Sequence, residues 1–262
     1  MNIGIFGDSY ASENIFEPHN YLGWPEILDH TNVYKVTNYS IPGSNLYFSW
    51  KLFIENHKKY DANIFLVTNF GRKYVKAIPD YSRTARHIPN LYTIPSRKSF
   101  LKYILDEEEK DRVKNIYDAL EKYFIYLQDD ECDELVDKAL VSYAKTLTDN
   151  TIFIPCFDGY EQWPLVEIFR EENFKMGAYE MYHSKDIHFG SIVDDYQLTD
   201  ARVCHMTKRN NEIFAEKIIQ AIKEKNFSFK FKKEDFEFDS LGPKDINDYI
   251  VWKNINEDFD IR

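Results

Sequence analysis

The feature that most constrains the fold of this chain is an alternation between short apolar segments and helical patterns. Four apolar segments are typical of buried strands, at residues 2–6, 33–37, 63–68 and 151–155. Each of the first three is followed by a segment with helical spacing. This alternation predicts a doubly wound α/β sheet.

Between the third and fourth strands, over about residues 97–147, the pattern is purely helical. We expect a helical hairpin inserted there, because the segment is too long for a single crossover. Apolar positions predict the buried face of each helix: Ile116, Leu120, Tyr123, Phe124 and Leu127, then Leu135, Val136, Ala139, Leu140, Tyr143 and Leu147. One domain is predicted at 1–225, and 226–262 is an extension that packs on it or docks elsewhere.

Composition excludes several classes of protein. A net charge of -11 disfavours nucleic acid as a partner. No apolar run approaches a membrane span, and the start resembles no signal peptide, so we expect a soluble protein, cytoplasmic or virion-associated. Three widely spaced cysteines indicate neither disulfides nor a zinc site. We expect no cofactor and no metal; His183, Asp186 and His188 are a minority alternative as metal ligands.

Gly7-Asp8-Ser9 follows the first predicted strand. A serine there has its hydroxyl at the edge of the sheet where α/β proteins bind ligands, so Ser9 is a candidate nucleophile. We expect Asp8 to hold the turn through hydrogen bonds from its side chain to the backbone. A nucleophilic serine also needs a base and donors for the developing oxyanion.

Four blocks of sequence resemble the SGNH, or GDSL-type, serine hydrolases, and they occur in the family's order. They are Phe6-Gly7-Asp8-Ser9-Tyr10, Asn38-Tyr39-Ser40-Ile41-Pro42-Gly43-Ser44-Asn45, Val67-Thr68-Asn69 and Cys204-His205-Met206-Thr207. The resemblance implies a three-layer α/β/α fold with a flavodoxin-like, mostly parallel five-stranded sheet. It further implies that Ser9 attacks an ester carbonyl while His205 takes its proton. It also implies an oxyanion hole formed by the backbone N–H groups of Ser9 and Gly43 and the side-chain amide of Asn69.

The last block departs from the family pattern, in which an aspartate precedes the histidine by three residues. Arg202 occupies that position, and the nearest acid is Asp200. Either Asp200 orients the imidazole from a different loop geometry, or a backbone carbonyl does so in a Ser-His dyad. In the third block, Val67 replaces the usual glycine and Phe70 the usual acid, which changes the local turn without removing a donor.

By this resemblance the expected activity is esterase activity on a short acyl group, such as an O-acetyl group, of a small molecule or a glycan. Arg72 and Tyr10 are candidate substrate contacts, although a surface arginine is an equally good interpretation of Arg72. The Lys-, Asn- and Tyr-rich composition indicates a viral or low-GC bacterial source. Two other classes stay open, an inactive glycan-binding or virion structural protein and, with less support, a nucleotide-binding protein. The oligomeric state stays undetermined.

Overall fold

The computed structural model of the chain describes residues 1–11, 22–41, 43–68, 72–78, 87–88, 94, 98, 100–156 and 208–236. The chain divides into two compact units. The first contains residues 1–12 and 37–153, and the second contains residues 13–36 and 154–262.

The described residues contain six strands: β1 (Asn2–Phe6), β2 (Lys35–Asn38), β3 (Ala62–Val67), β4 (Lys73–Tyr74), β5 (His87–Ile88) and β6 (Thr151–Pro155). A parallel four-stranded sheet has the order β2-β1-β3-β6, and β4 pairs with β5 in a separate antiparallel ribbon. The register places Ile3 beside Ala62 and Phe6 beside Phe65. The predicted parallel α/β fold is therefore confirmed, while the fifth strand and the three-layer arrangement stay predictions.

Strand β2 begins later than its sequence pattern predicts. It starts at Lys35 rather than Val33, since Asn32 takes a left-handed conformation with φ of 57° and Val33 is 60% exposed. The apolar residue at position 33 therefore belongs to the turn before the strand.

Five helices lie in the described part of the chain: α1 (Trp24–His30), α2 (Leu46–Asn56), α3 (Glu107–Tyr126), α4 (Asp130–Thr146) and α5 (Lys208–Lys223). Short 3₁₀ turns occupy His57–Lys59, Phe100–Tyr103 and Lys233–Asp235. None of these helices is both long and apolar enough to cross a bilayer.

In the first unit the core lies between α2 and the sheet. Phe53 of α2 is fully buried, with its ring 5.4 Å from that of Phe6 in β1 and 5.3 Å from that of Phe65 in β3, both in edge-on geometry. Such aromatic pairs add to the free energy of burial because the positive ring edge meets the negative ring face. This packing holds α2 against β1 and β3.

Helices α3 and α4, joined by residues 127–129, occupy the segment in which the sequence predicts a helical hairpin, and we call this pair of helices the hairpin. Both begin at an aspartate whose side chain accepts a backbone N–H in the first turn, Asp106 from Glu109 at 2.7 Å and Asp129 from Cys132 at 3.0 Å. Acidic residues fill both first turns, where they interact favourably with the helix dipole. The two acidic runs of the sequence, at residues 106–109 and 129–134, are thus helix starts.

The faces that the hairpin buries differ in part from the prediction. Val113 and Tyr117 of α3 and Val141 and Ala144 of α4 are buried. Ile116, Leu120 and Phe124 are partly buried, as expected. They pack against a buried cluster formed by Ile78, Ile94, Val113 and Tyr117. Five positions predicted to be buried are exposed instead: Leu127, Leu135, Val136, Ala139 and Tyr143. A helical period gives the spacing of an apolar stripe, but the packing partner decides which side of a broad stripe is buried.

In the second unit, α1 packs on α5. The Trp24 ring lies 4.8 Å from that of Phe214, and the Trp24 backbone N–H donates to the Asn211 side-chain oxygen at 3.0 Å. Phe231 stacks on Phe214 at 4.1 Å, and Lys217 forms an ion pair with Asp235 at 2.7 Å. Residues 226–236 of the predicted extension therefore pack on α5.

Candidate functional site

The turn that carries Ser9, residues 7–11, is here called the Ser9 turn. A Cβ on Gly7 would lie 2.6 Å from the Leu66 Cβ of β3, so only glycine permits this approach of the two strands. The Ala11 N–H donates to the Asp8 carbonyl at 3.1 Å, and the Tyr10 N–H donates to Asp8 Oδ1 at 3.2 Å. Asp8 therefore holds the turn as the sequence predicts, and Ser9 is partly exposed at the carboxyl end of β1.

The second sequence block lies beside this turn. The Ile41 N–H donates to the Gly7 carbonyl at 3.2 Å, and the Asn38 side-chain amide donates to the Ala11 carbonyl at 2.6 Å. Gly43 has φ of 71°, in the left-handed region that side chains disfavour. The chain thus requires glycine at the position that the resemblance makes an oxyanion donor.

A buried polar cluster links three of the blocks. Asp8 Oδ2 accepts the Thr68 hydroxyl at 2.6 Å and lies 3.4 Å from Arg72 Nη1. The same Arg72 nitrogen donates to the Ser44 carbonyl and to Thr68 Oγ1, both at 3.0 Å. We call Asp8, Ser44, Thr68 and Arg72 the Asp8 network. The Asp8 side chain is 0% exposed and that of Arg72 is 12% exposed, so the carboxylate and its counter-charge are both shielded from water.

The start of α2 is bonded to the same cluster. Asn45 caps the helix, since its side-chain oxygen accepts the Phe48 N–H at 2.9 Å, and its amide donates to the Arg72 carbonyl at 3.0 Å. The Ser49 hydroxyl donates to the Gly7 carbonyl at 3.2 Å and lies 3.1 Å from the Ser44 hydroxyl. At the start of α2, Asn45 therefore holds Arg72, and Ser49 holds the Ser9 turn.

Tyr39, within the second block, is not suited to exchange protons at neutral pH. Its hydroxyl lies 2.7 Å from that of Tyr60, and its ring stacks on Phe6 at 5.0 Å. The hydrogen bond to Tyr60, followed by burial, raises the pKa of Tyr39 to about 12. Its role here is to pack β2 against β1.

The predicted site residues divide into those that the structure describes and those that it does not. Ser9 and Gly43 lie on adjoining turns at one edge of the sheet. Tyr10 is 4% exposed, and the Arg72 guanidinium contacts Asp8. The roles predicted for Tyr10 and Arg72 in substrate binding stay predictions.

Asn69, Asp200 and His205 lie outside the described residues, so the third oxyanion donor and the choice between triad and dyad stay predictions. His183, Asp186 and His188 lie outside them as well. Among the residues that are described, no group of three or more histidine, cysteine or acidic side chains is placed to hold a metal ion.

Sequence reasoning missed the contact between Arg72 and Asp8 and gave Thr68 no role. One signal was available, because a carboxylate in the turn after a buried strand needs a cation or several donors nearby. Strand β3 lies next to β1, and Arg72 is the first cation after β3 in the sequence.

Two solved structures resemble this chain weakly. One is an acetyl xylan esterase, AlAXEase, with 15% identity over 85% of this chain and 100% of that chain, and a TM-score of 0.32. The other is protein YxiM from Bacillus subtilis, with 13% identity over 86% of this chain and 56% of that chain, and a TM-score of 0.31. No protein-family model and no curated sequence matches the chain. These similarities are too slight to argue from, so we base the function on the chain's own residues.

Proposed function

We propose that this chain is a serine esterase that hydrolyses a short acyl ester, such as an O-acetyl group on a small molecule or glycan. The observation that carries the proposal is the Ser9 turn, which presents a partly exposed serine at the carboxyl end of β1 next to the turn of Gly43. Hydrogen bonds within the protein already hold both turns in place before a substrate binds. Such preorganisation is what makes donors effective in stabilising charge as it develops.

In the proposed reaction, His205 takes the Ser9 hydroxyl proton as the oxygen attacks the ester carbonyl. The oxyanion accepts hydrogen bonds from the backbone N–H groups of Ser9 and Gly43 and from the Asn69 amide. The intermediate collapses to an acyl-serine as the alcohol leaves with the proton from His205. Water, deprotonated by His205, then attacks the acyl carbon and releases the carboxylic acid and free Ser9.

Turnover of p-nitrophenyl acetate by purified full-length protein tests this proposal. We expect hydrolysis that Ser9→Ala lowers by at least about 10³-fold, since loss of a nucleophile removes the covalent route. Ser40→Ala is the matched control, because its hydroxyl lies at the same edge of the sheet and has no hydrogen-bond partner among the described residues. Its rate should stay within about twofold. Equal rates for wild type and Ser9→Ala would leave the inactive glycan-binding or structural protein as the better interpretation.

The same assay distinguishes a Ser9-His205-Asp200 triad from a Ser9-His205 dyad. In a triad, Asp200→Asn should lower kcat by about 10⁴-fold, because the amide favours the wrong imidazole tautomer. In a dyad the loss should stay below about tenfold, while His205→Ala abolishes turnover in both cases.

A further inference from the structure

Three residues of the Asp8 network are adjacent in the chain to proposed oxyanion donors. Asp8 precedes Ser9, Ser44 follows Gly43, and Thr68 precedes Asn69. A single nitrogen, Arg72 Nη1, lies 3.4 Å from Asp8 Oδ2 and 3.0 Å from both the Ser44 carbonyl oxygen and Thr68 Oγ1. All four residues belong to the same compact unit.

We propose that Arg72 is a positioning residue that fixes two of the oxyanion donors, the backbone N–H groups of Ser9 and Gly43, relative to one another. This inference rests on the proposed esterase function and assigns no contact between Arg72 and the substrate. The guanidinium acts through Asp8 and Ser44, which adjoin these donors in the chain, and through Thr68, whose hydroxyl binds the Asp8 carboxylate.

The chemistry of the cluster suits a guanidinium. The Thr68 hydroxyl gives its one proton to Asp8 at 2.6 Å, which leaves its lone pairs to accept from Arg72. One Nη1 hydrogen then serves Thr68 and the other serves the Ser44 carbonyl, while the positive charge balances the buried carboxylate. A lysine at this position would supply the charge, but its ammonium is carried on a flexible stem, whereas the planar guanidinium holds Nη1 in a fixed direction.

The backbone of Arg72 is itself held on both sides. Its carbonyl accepts the Asn45 amide at 3.0 Å, which ties it to the start of α2. The next residue, Lys73, pairs with Asp133 of α4 at 2.5 Å, and its ammonium lies 5.2 Å from the centre of the Tyr123 ring of α3. Burial opposes the charge of Lys73, but hydrogen bonds to Asp133 and Tyr123 outweigh it and raise the lysine pKa. The hairpin therefore anchors Lys73 of β4, the residue next to Arg72.

The test compares Arg72→Lys and Arg72→Ala with wild type on two esters, neutral p-nitrophenyl acetate and anionic p-nitrophenyl hemisuccinate. A positioning residue serves the transition state of both esters alike. We expect kcat to fall by about 10²-fold in Arg72→Ala and about tenfold in Arg72→Lys, with KM within about threefold for both esters. Added methylguanidinium should restore part of the kcat lost in Arg72→Ala. Arg112→Ala, which removes a surface arginine of α3, should leave both constants unchanged.

Three outcomes would overturn the inference. A higher KM for the anionic ester alone, with kcat preserved, would make Arg72 a substrate contact. Unchanged kcat in folded Arg72→Lys would show that the donors hold their positions without the planar guanidinium. Failure of the esterase proposal itself is separately visible, because wild type would then neither hydrolyse an ester nor react with a fluorophosphonate, and the inference would fall with it.

Discussion

The Ser9 turn and the hairpin use charged residues in opposite ways. In the turn, one aspartate with no exposed surface is bound by an arginine, a threonine and a backbone N–H. On the hairpin, charges pair at the surface, as in Lys138–Glu134, whose side chains are 47% and 44% exposed. A buried polar group must have its partners in fixed places, whereas exposed pairs contribute little free energy and fix little. The contrast indicates where this chain needs geometric precision.

The largest effect on stability is expected from Asp8→Asn. The change removes the charge that balances Arg72, and breaking a largely buried pair lowers the free energy of unfolding by about 3 kcal/mol. It should also lower kcat, because the turn that carries Ser9 loses its anchor. Urea unfolding and ester kinetics measure the two effects.

Asp106→Asn is the matched control for that substitution. Asp106 caps the exposed start of α3, where asparagine serves as well as aspartate. Its effect on unfolding should stay below about 0.5 kcal/mol. Similar losses in the two variants would show that charged side chains stabilise the Ser9 turn no more than they stabilise the hairpin.

A smaller loss is expected from Gly7→Ala. The added methyl would meet the Leu66 Cβ at 2.6 Å, so β1 and β3 must move apart locally. Such overpacking lowers the free energy of unfolding by about 2 kcal/mol. At Gly23, a Cβ would come no closer than 3.3 Å to the movable Glu26 carboxylate, and Gly23→Ala should lose less. Equal losses at both positions would rule out a special strand contact at Gly7.

Val113→Ala probes the core beneath the hairpin. Val113 is fully buried in a cluster with Ile78, Ile94 and Tyr117, and the truncation should lower the free energy of unfolding by about 1.5 kcal/mol. Below the unfolding transition, kcat should stay within about twofold of wild type. A large fall in kcat in the folded variant would mean that packing of the hairpin controls the Ser9 turn directly.

The smallest effect is expected from Glu134→Gln, which removes one partner of the exposed pair with Lys138. The free energy of unfolding should change by less than about 0.5 kcal/mol, and salt should reduce even that. Thermal unfolding at low and high ionic strength measures this change in stability. A loss of stability comparable to that of Asp8→Asn would contradict the comparison.

The sequence predicts where the strands and helices lie better than it predicts which helix faces are buried. Strands β1 and β6 agree with their apolar runs at both ends, because no competing turn interrupts them. The hairpin was predicted from its helical spacing, but Leu127 and Leu135 are exposed, since the periodicity does not reveal the packing partner. For the site, the glycine requirement at position 43 follows from a local turn. The contact of Arg72 with Asp8 spans 64 positions and depends on which strands are neighbours.

Covalent labelling of the intact protein tests the central claim, that Ser9 is a base-activated nucleophile, most directly. A fluorophosphonate reacts with such a serine because the oxyanion site also binds the phosphorus oxygen. We expect one adduct per chain by mass spectrometry, mapped to the peptide containing Ser9, retained in Ser40→Ala and lost in Ser9→Ala and His205→Ala. Absence of an adduct while a known serine esterase is labelled in parallel, or an adduct mapped to another residue, would contradict the account.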